Sequence, residues 1–139
     1  MQTQNASGTD YVSFQINQGT NFTLPGTTSP EIIVNTAGTY LVSLDISVIA
    51  TGNNPGVWSG KVEILRDDGA GSYTSVSEQA VSVTRNTAGR VQIKDVVVYS
   101  SGSTKKLKFS IVSGSANGNS LYTAVDNVNN LTISMEKIA

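Results

Sequence analysis

The segment Ile32 to Val48 constrains the fold more than any other part of the sequence. It begins with a short apolar run, Ile32 to Val34, and continues after a Thr-Ala-Gly turn with a longer run. In the longer run Tyr40, Val42, Leu44, Ile46 and Val48 share one face, and Ser43, Asp45 and Ser47 lie on the other. Because successive side chains of a β-strand point to opposite faces, this alternation predicts a sheet with one face in a core.

Strand-like runs recur along the rest of the chain, each closed by Gly, Asn, Asp or Ser, and no segment has a helical pattern. The predicted strands cover residues 11–17, 21–24, 32–34, 38–50, 58–66, 73–84, 90–100, 105–112, 121–125 and 130–138. Only 14% of the residues are charged, and Ser, Thr, Asn and Gly are abundant, as suits exposed strands and turns. About eight to ten strands predict an all-β, two-sheet antiparallel sandwich.

The composition argues against an enzyme. The 139 residues include no histidine and no cysteine, which removes the commonest general base and all thiolate chemistry. A glycosidase needs two carboxylates in a cleft, and Asp45 could be paired with Glu63 or with Asp95. No aromatic cluster accompanies either pair. The sequence therefore predicts no catalytic residue and no cofactor.

The acidic turn Asp67-Asp68-Gly69 has two interpretations. Its carboxylates, beside Ser72, are chemically suited to Ca²⁺. The alternating acidic positions of a calcium-binding loop are absent, however, and Asp-Gly is a common hairpin turn. We favour the hairpin and predict no metal site.

Two parts of the sequence resemble the tumour necrosis factor-like jelly-roll family. Ile32 to Val48, with Thr36-Ala37-Gly38-Thr39-Tyr40-Leu41-Val42 at its centre, resembles the early core strands, and Asn130 to Ala139 resembles the closing strand. Gly89 to Val112 is similar to a further pair of strands. The resemblance covers roughly residues 10–139 and is nearest to the complement globular-head type and its bacterial and phage relatives.

The resemblance implies a ten-strand jelly roll that assembles as a homotrimer. Family trimers pack around a threefold axis through apolar and aromatic residues, so Tyr40, Phe109 and Tyr122 are candidates for that axis or for the core. The acidic residues that bind calcium in some members have no clear match here.

We expect a polar N-terminal arm at residues 1–9 and a single jelly-roll domain at residues 10–139. Gln2, Gln4 and Asn5 are candidates for anchoring the arm to a larger assembly, because the arm has little to pack on its own. No signal region or membrane-spanning run is present, so we expect synthesis in a host cytoplasm.

Charge is distributed unevenly along the chain. Residues 1–84 contain seven acidic and two basic residues, whereas residues 85–139 contain three acidic and seven basic ones. The two halves can attract each other across a subunit contact, or they can simply form solvated strand faces. The overall net charge of −1 gives no reason to expect nucleic-acid or membrane binding.

Ligand contacts, if present, are expected in two irregular segments, residues 51–57 and 113–120. The candidate ligand-facing side chains are Trp58, Asn53, Asn54, Asn117 and Asn119. Trp58 can stack on a sugar ring, but its parity with Val62 and Ile64 favours a place in the core.

The expected function is that of a non-enzymatic structural protein on a virion surface, either a capsid decoration or a fibre head. The alternative is a carbohydrate-binding, adhesive head of the phage-tail-tip or spore-surface type.

Overall fold

The computed structural model describes residues 8–11, 22–23, 30–52, 56–102, 104–113, 119–123 and 131–139, which form ten β-strands and no helix. The strands are β1 (Gly8–Tyr11), β2 (Phe22–Thr23), β3 (Ile32–Val34), β4 (Gly38–Gly52), β5 (Val57–Asp67), β6 (Thr74–Thr84), β7 (Ala88–Tyr99), β8 (Lys105–Ser113), β9 (Asn119–Thr123) and β10 (Leu131–Lys137). From β2 onward every strand lies within two residues of its predicted bounds. The first predicted strand differs: β1 begins at Gly8, and residues 12–17 lie outside the described part of the chain.

The ten strands form two antiparallel sheets. The six-stranded sheet has the order β2-β3-β8-β5-β6, with β1 pairing with β8 beyond β3. In the four-stranded sheet β4 is central, with β7 along one edge and β10 followed by β9 along the other. This architecture confirms the predicted all-β sandwich of the jelly-roll class.

The core lies between the sheets and is built by the predicted alternation. On β4 the alternate residues Tyr40, Val42, Leu44, Ile46 and Val48 are at most 1% exposed, and Trp58, Val62, Ile64, Val91, Leu107, Phe109 and Ile111 are fully buried as well. Ile133 and Met135 of β10 are only partly buried and pack against this core. Burying such side chains is the main force that stabilises the sandwich.

The Thr-Ala-Gly-Thr-Tyr motif has a structural explanation at the start of β4. The Tyr40 hydroxyl donates a hydrogen bond to the Thr36 carbonyl at 2.6 Å, which closes the turn onto the strand. Gly38 has φ +149°, and a Cβ there would lie 2.5 Å from the Ala139 carbonyl oxygen. Glycine therefore allows β4 and the end of the chain to approach closely.

Two long-range contacts fix one end of the sandwich. Arg66 of β5 donates a hydrogen bond to the Val98 carbonyl of β7 at 2.8 Å and so joins the two sheets. Asp68, in the turn after β5, accepts hydrogen bonds from the Ser100 amide at 3.0 Å and the Ser100 hydroxyl at 2.8 Å. Two turns that are distant in sequence are thereby held together.

Candidate interaction surface

The outer face of the four-stranded sheet carries the candidate site. On β4 the buried residues alternate with Thr39, Leu41, Ser43 and Asp45, which therefore point away from the core. The register places Val98, Val96, Lys94 and Gln92 of β7 beside these four residues, in that order. On the other edge Glu136 pairs with Leu41 and Ser134 pairs with Ser43. Three adjacent strands thus contribute to one continuous surface.

One end of this face is apolar, and we call it the apolar strip: Leu41, Val96, Val98 and Ile138. Val96 is 47% exposed, Val98 is 53% exposed and Ile138 is 51% exposed, while Leu41 between them is half-buried. Ile138 lies beside Thr39, whose carbonyl accepts its amide hydrogen bond at 2.8 Å. Among the described residues Val57 is the one other large apolar side chain exposed to this degree, and it lies on β5 in the other sheet. The strip is therefore a local concentration of exposed apolar surface.

Two charged side chains flank the apolar strip on opposite sides of β4. Lys94 lies on β7 beside Ser43, and Glu136 lies on β10 beside Leu41. Both are exposed, and neither forms an ion pair with another described residue. The same face thus carries a free cation on one side and a free anion on the other.

The opposite end of the face is polar. Asp45 accepts a hydrogen bond from Arg90 Nε at 3.1 Å, forms an ion pair with Arg90 Nη2 and accepts a third bond from the Gln92 amide at 3.1 Å. The Arg90 guanidinium, as the larger cause, and the Gln92 amide lower the pKa of Asp45. These residues line an open groove of about 660 Å³ that continues around the edge of β7 to Gln79 and Ser82 of β6.

The outer face of the six-stranded sheet differs because the charged side chains described on β5, and Lys106 on β8, are paired within the chain. Lys61 bridges Glu63 and Glu78 at 3.0 Å each, and Glu63 also accepts a hydrogen bond from Ser110. At the β3 end Lys106 lies 3.5 Å from Glu31, which in turn accepts a hydrogen bond from Tyr73. This face offers fewer free charges to a partner than the β10-β4-β7 face does.

The structure places several sequence-predicted site residues in the core. Trp58 is fully buried, and a Cβ on Gly60 would lie 2.7 Å from its ring, so the indole lies directly over that glycine. Trp58 therefore occupies the core position that its parity with Val62 and Ile64 favours, and the ligand-facing alternative is wrong, because a fully buried ring has no surface to offer. Tyr40 and Phe109 are also fully buried, so they lie in the core and not at a threefold axis, the two places considered for them. The Tyr40 ring packs edge-on against Tyr99 at 6.0 Å.

The remaining predicted site residues lie at the margins of the described chain or beyond it. Tyr122 pairs with Ile49, and Asn119 pairs with Gly52, both within β9. Asn53, Asn54, Asn117, Gln2, Gln4 and Asn5 lie outside the described residues.

The acidic residues considered for catalysis or metal binding do not converge. Asp45 lies on the outer face of one sheet, whereas Glu63 lies on the outer face of the other. Asp95 accepts a hydrogen bond from Ser77, which lowers its pKa. Asp67 accepts hydrogen bonds from the amides of Gly69 and Gly71, as in a hairpin turn. In the described part of the chain no group of three or more side chains is arranged to hold a metal, and no helix long and apolar enough to cross a membrane is found.

The apolar strip was not predicted, although the sequence carries a signal for it. Val96, Val97 and Val98 are consecutive. Because side chains alternate across a strand, a run of three apolar residues must place at least one on the outer face. In the structure Val97 is buried and its two neighbours are exposed.

Comparison with known proteins supports the fold and does not extend to a family. No protein-family model matches the chain, and no curated protein is significantly similar to it. The structure of murine APRIL at pH 5.0 is similar over 85% of this chain and 90% of that chain, with 16% identity and a TM-score of 0.51. A structure described as CBM4 structure and function is similar over 78% of this chain and 73% of that chain, with 12% identity and a TM-score of 0.40. The chain therefore has a tumour necrosis factor-like jelly-roll fold.

Proposed function

We propose that the chain is a non-enzymatic structural protein, a homotrimeric jelly-roll module of the phage or bacterial type that is displayed on a virion as a capsid decoration or fibre head. The observation that carries this proposal is the apolar strip on the outer face of the β10-β4-β7 sheet. Exposed apolar side chains grouped on a flat surface are typical of protein interaction sites.

A self-association surface is the simplest role for the strip. Burial of apolar surface stabilises a contact by roughly 25 cal/mol per Å², before the cost of association is subtracted. Val96, Val98 and Ile138 are each about half exposed, so each has apolar area left to bury. Their strands are held by long ladders to β4, so the surface is formed before a partner arrives.

The mass of the protein in solution tests the trimer. Light scattering after size exclusion should give three times 14.6 kDa. Val98→Asp should shift the mass toward that of the monomer, because a carboxylate would have to be desolvated in the contact. Val57→Asp is the matched control, since Val57 is 45% exposed on the other sheet, and it should leave the mass unchanged. A monomeric wild-type protein would contradict the proposal.

Attachment to a particle is the part of the proposal that rests on the sequence alone. Each subunit would contribute one polar arm, with Gln2, Gln4 and Asn5, so a trimer would make three weak contacts with the particle. Weak contacts that are made at the same time give firm attachment. Deletion of residues 1–7 removes Gln2, Gln4 and Asn5 from the arm and leaves β1 intact. The truncated trimer should no longer co-sediment with particles that carry the full chain.

Immunogold labelling tests the virion-surface localisation. Antibodies against the purified protein should label phage or virus particles from a lysate of the source culture. Label confined to spore coats or cell envelopes would favour the alternative localisation.

The second candidate function is carbohydrate binding by an adhesive head, and the polar groove favours it. Asp45, Arg90 and Gln92 present carboxylate, guanidinium and amide groups that are suited to bind sugar hydroxyls. A glycan array should then show binding that Arg90→Ala removes. Lys61→Ala, which removes an ion-paired cation from the other sheet, should keep the binding. An array with no signal would exclude this function.

A further inference from the structure

We propose that the trimer contact is a head-to-tail one, in which the β7 side of the apolar strip in one subunit packs on the β10 side in the next, and Lys94 pairs with Glu136 of that next subunit. The inference rests on the homotrimer of the proposed function and names the side chains that determine its geometry. The occupant of the strip is thus a second copy of this chain.

The two sides of the strip are complementary halves of one surface. On the β7 side lie Lys94, Val96 and Val98, and on the β10 side lie Glu136 and Ile138, with β4 between them. Each half therefore carries exposed apolar side chains beside one charge, and the two charges are of opposite sign.

Complementary halves on one subunit allow a closed ring. When a surface of one copy fits a different surface of the next, repetition of the contact generates a ring if the rotation closes. A threefold ring uses each half once per subunit and leaves no copy of the strip exposed. A face-to-face twofold dimer could make the same Lys94–Glu136 pair twice, so the number of subunits comes from the proposed homotrimer.

Lys94 and Glu136 differ from other outward-facing charged residues in having no ion-pair partner among the described residues. Across the described chain the other charges that face outward from β4, β5 and β7 have partners, as Asp45 has in Arg90 and Lys61 has in Glu78. Lys94 and Glu136 have no ion-pair partner among the described residues. Two like charges placed against each other at an interface cost free energy. An unpaired charge of each sign beside the strip therefore restricts the orientation and register in which a second copy can dock.

Charge reversal tests the pair. Lys94→Glu and Glu136→Lys should each raise the dissociation constant of the trimer by about ten-fold or more, as judged by sedimentation over a dilution series. The double variant Lys94→Glu/Glu136→Lys should return to the wild-type constant, because every contact again joins opposite charges. Lys137→Glu is the matched control: it reverses an exposed lysine of opposite parity on β10 and should leave the constant unchanged.

Mixing the two single variants distinguishes a ring of three from a dimer. Each Lys94→Glu subunit then carries two acidic groups at the contact, and each Glu136→Lys subunit carries two basic ones. A dimer could alternate the two kinds and recover fully. A closed ring of three cannot alternate two kinds, so at least one of its three contacts joins like charges and recovery should be incomplete.

The possible outcomes separate this inference from the proposed function. A trimeric wild-type protein whose single variants assemble normally would overturn the Lys94–Glu136 pair and leave the trimer in place. Folded single variants that dissociate and a double variant that fails to recover would also overturn the pair. The far-ultraviolet circular dichroism spectrum of each variant, expected to match that of the wild-type protein, shows that loss of assembly is not loss of folding. A monomeric wild-type protein would overturn both proposals.

Discussion

Tyr40 illustrates how one side chain connects a turn to the core. Its ring packs edge-on against Phe22 at 5.9 Å and Tyr99 at 6.0 Å, while its hydroxyl reaches back to the Thr36 carbonyl. A tyrosine hydroxyl is protonated at neutral pH and can donate this bond, and burial raises its pKa further. Sequence alternation predicts that Tyr40 is buried, but the bond to Thr36 depends on the turn geometry and does not follow from periodicity.

Tyr40→Phe should lower the free energy of unfolding by about 1 kcal/mol, the usual net contribution of one hydrogen bond. The ring and its packing remain, so the change isolates the hydroxyl. Urea denaturation followed by the fluorescence of Trp58 measures the difference. An unchanged midpoint would mean that water replaces the bond to Thr36 at no cost.

Gly60→Ala tests the packing beneath Trp58. A methyl group at this position would overlap the Val112 carbonyl oxygen and lie 2.7 Å from the indole. We expect a loss of about 1–3 kcal/mol, as for other overpacked cores, together with a changed emission spectrum of the single tryptophan. Ser59→Ala, on the opposite face of the same strand, is the control and should have little effect on either measurement.

At the scale of strands and turns, the pairing of Asp68 with Ser100 links the β5–β6 turn to the β7–β8 turn. Partial burial opposes ionisation of Asp68, but the hydrogen bonds from Ser100 outweigh it, and the pKa of the carboxyl is lowered. Arg66 adds a second link between β5 and β7 close by. One end of the sandwich is therefore fixed by polar contacts in addition to its apolar core.

Asp68→Ala should lower the free energy of unfolding by about 1 kcal/mol and accelerate hydrogen exchange at the Ser100 amide. Ser100→Ala removes only the hydroxyl bond and should have a smaller effect on both. Equal exchange rates in the wild-type protein and the Asp68 variant would show that the two turns are held by other contacts.

How well the bounds of a strand could be predicted from sequence depends on how fully one of its faces is buried. β3 and β4 alternate strictly between buried and half-buried residues, and β5 and β8 alternate over part of their length, so the bounds of these strands follow from the pattern. The Asp68–Ser100 link joins two turns through tertiary structure, which leaves no local pattern. The candidate site was missed for a related reason: an apolar residue on an outer face breaks the alternation, and a single strand does not indicate which valine of Val96 to Val98 is exposed.

At the scale of the whole molecule, the absence of histidine determines how stability should depend on pH. Histidine is the side chain that ordinarily titrates between pH 5 and 8, and the sequence contains none. The loss of stability in acid therefore depends on the carboxylates. The Arg90 guanidinium lowers the pKa of Asp45, and the Ser77 hydroxyl lowers the pKa of Asp95. A carboxyl with a lowered pKa in the folded state stabilises the fold above its unfolded value, about 4, and this contribution is lost as the pH falls through the folded value.

The free energy of unfolding should therefore change little between about pH 6 and 8 and decline below about pH 4. Asp45→Asn should lower stability at pH 7 and make the decline shallower, because one of the responsible carboxyls is gone. Urea midpoints measured across this range test both statements. A midpoint that moves between pH 6 and 7 would contradict this account.

The pairing of β4 with β10 has a consequence for how the protein is made. Tyr40 near the start of β4 faces Lys137 near the end of β10, and the five strands β5 to β9 lie between them in the chain. Closing such distant pairs is slow, because much of the chain must be ordered before the contact forms. During synthesis the part of this β4 edge from Tyr40 to Ile46 has no β10 partner until residues 131–137 leave the ribosome. Until then the nascent chain exposes an open β-strand edge, the kind of surface that chaperones bind and that misfolded chains share.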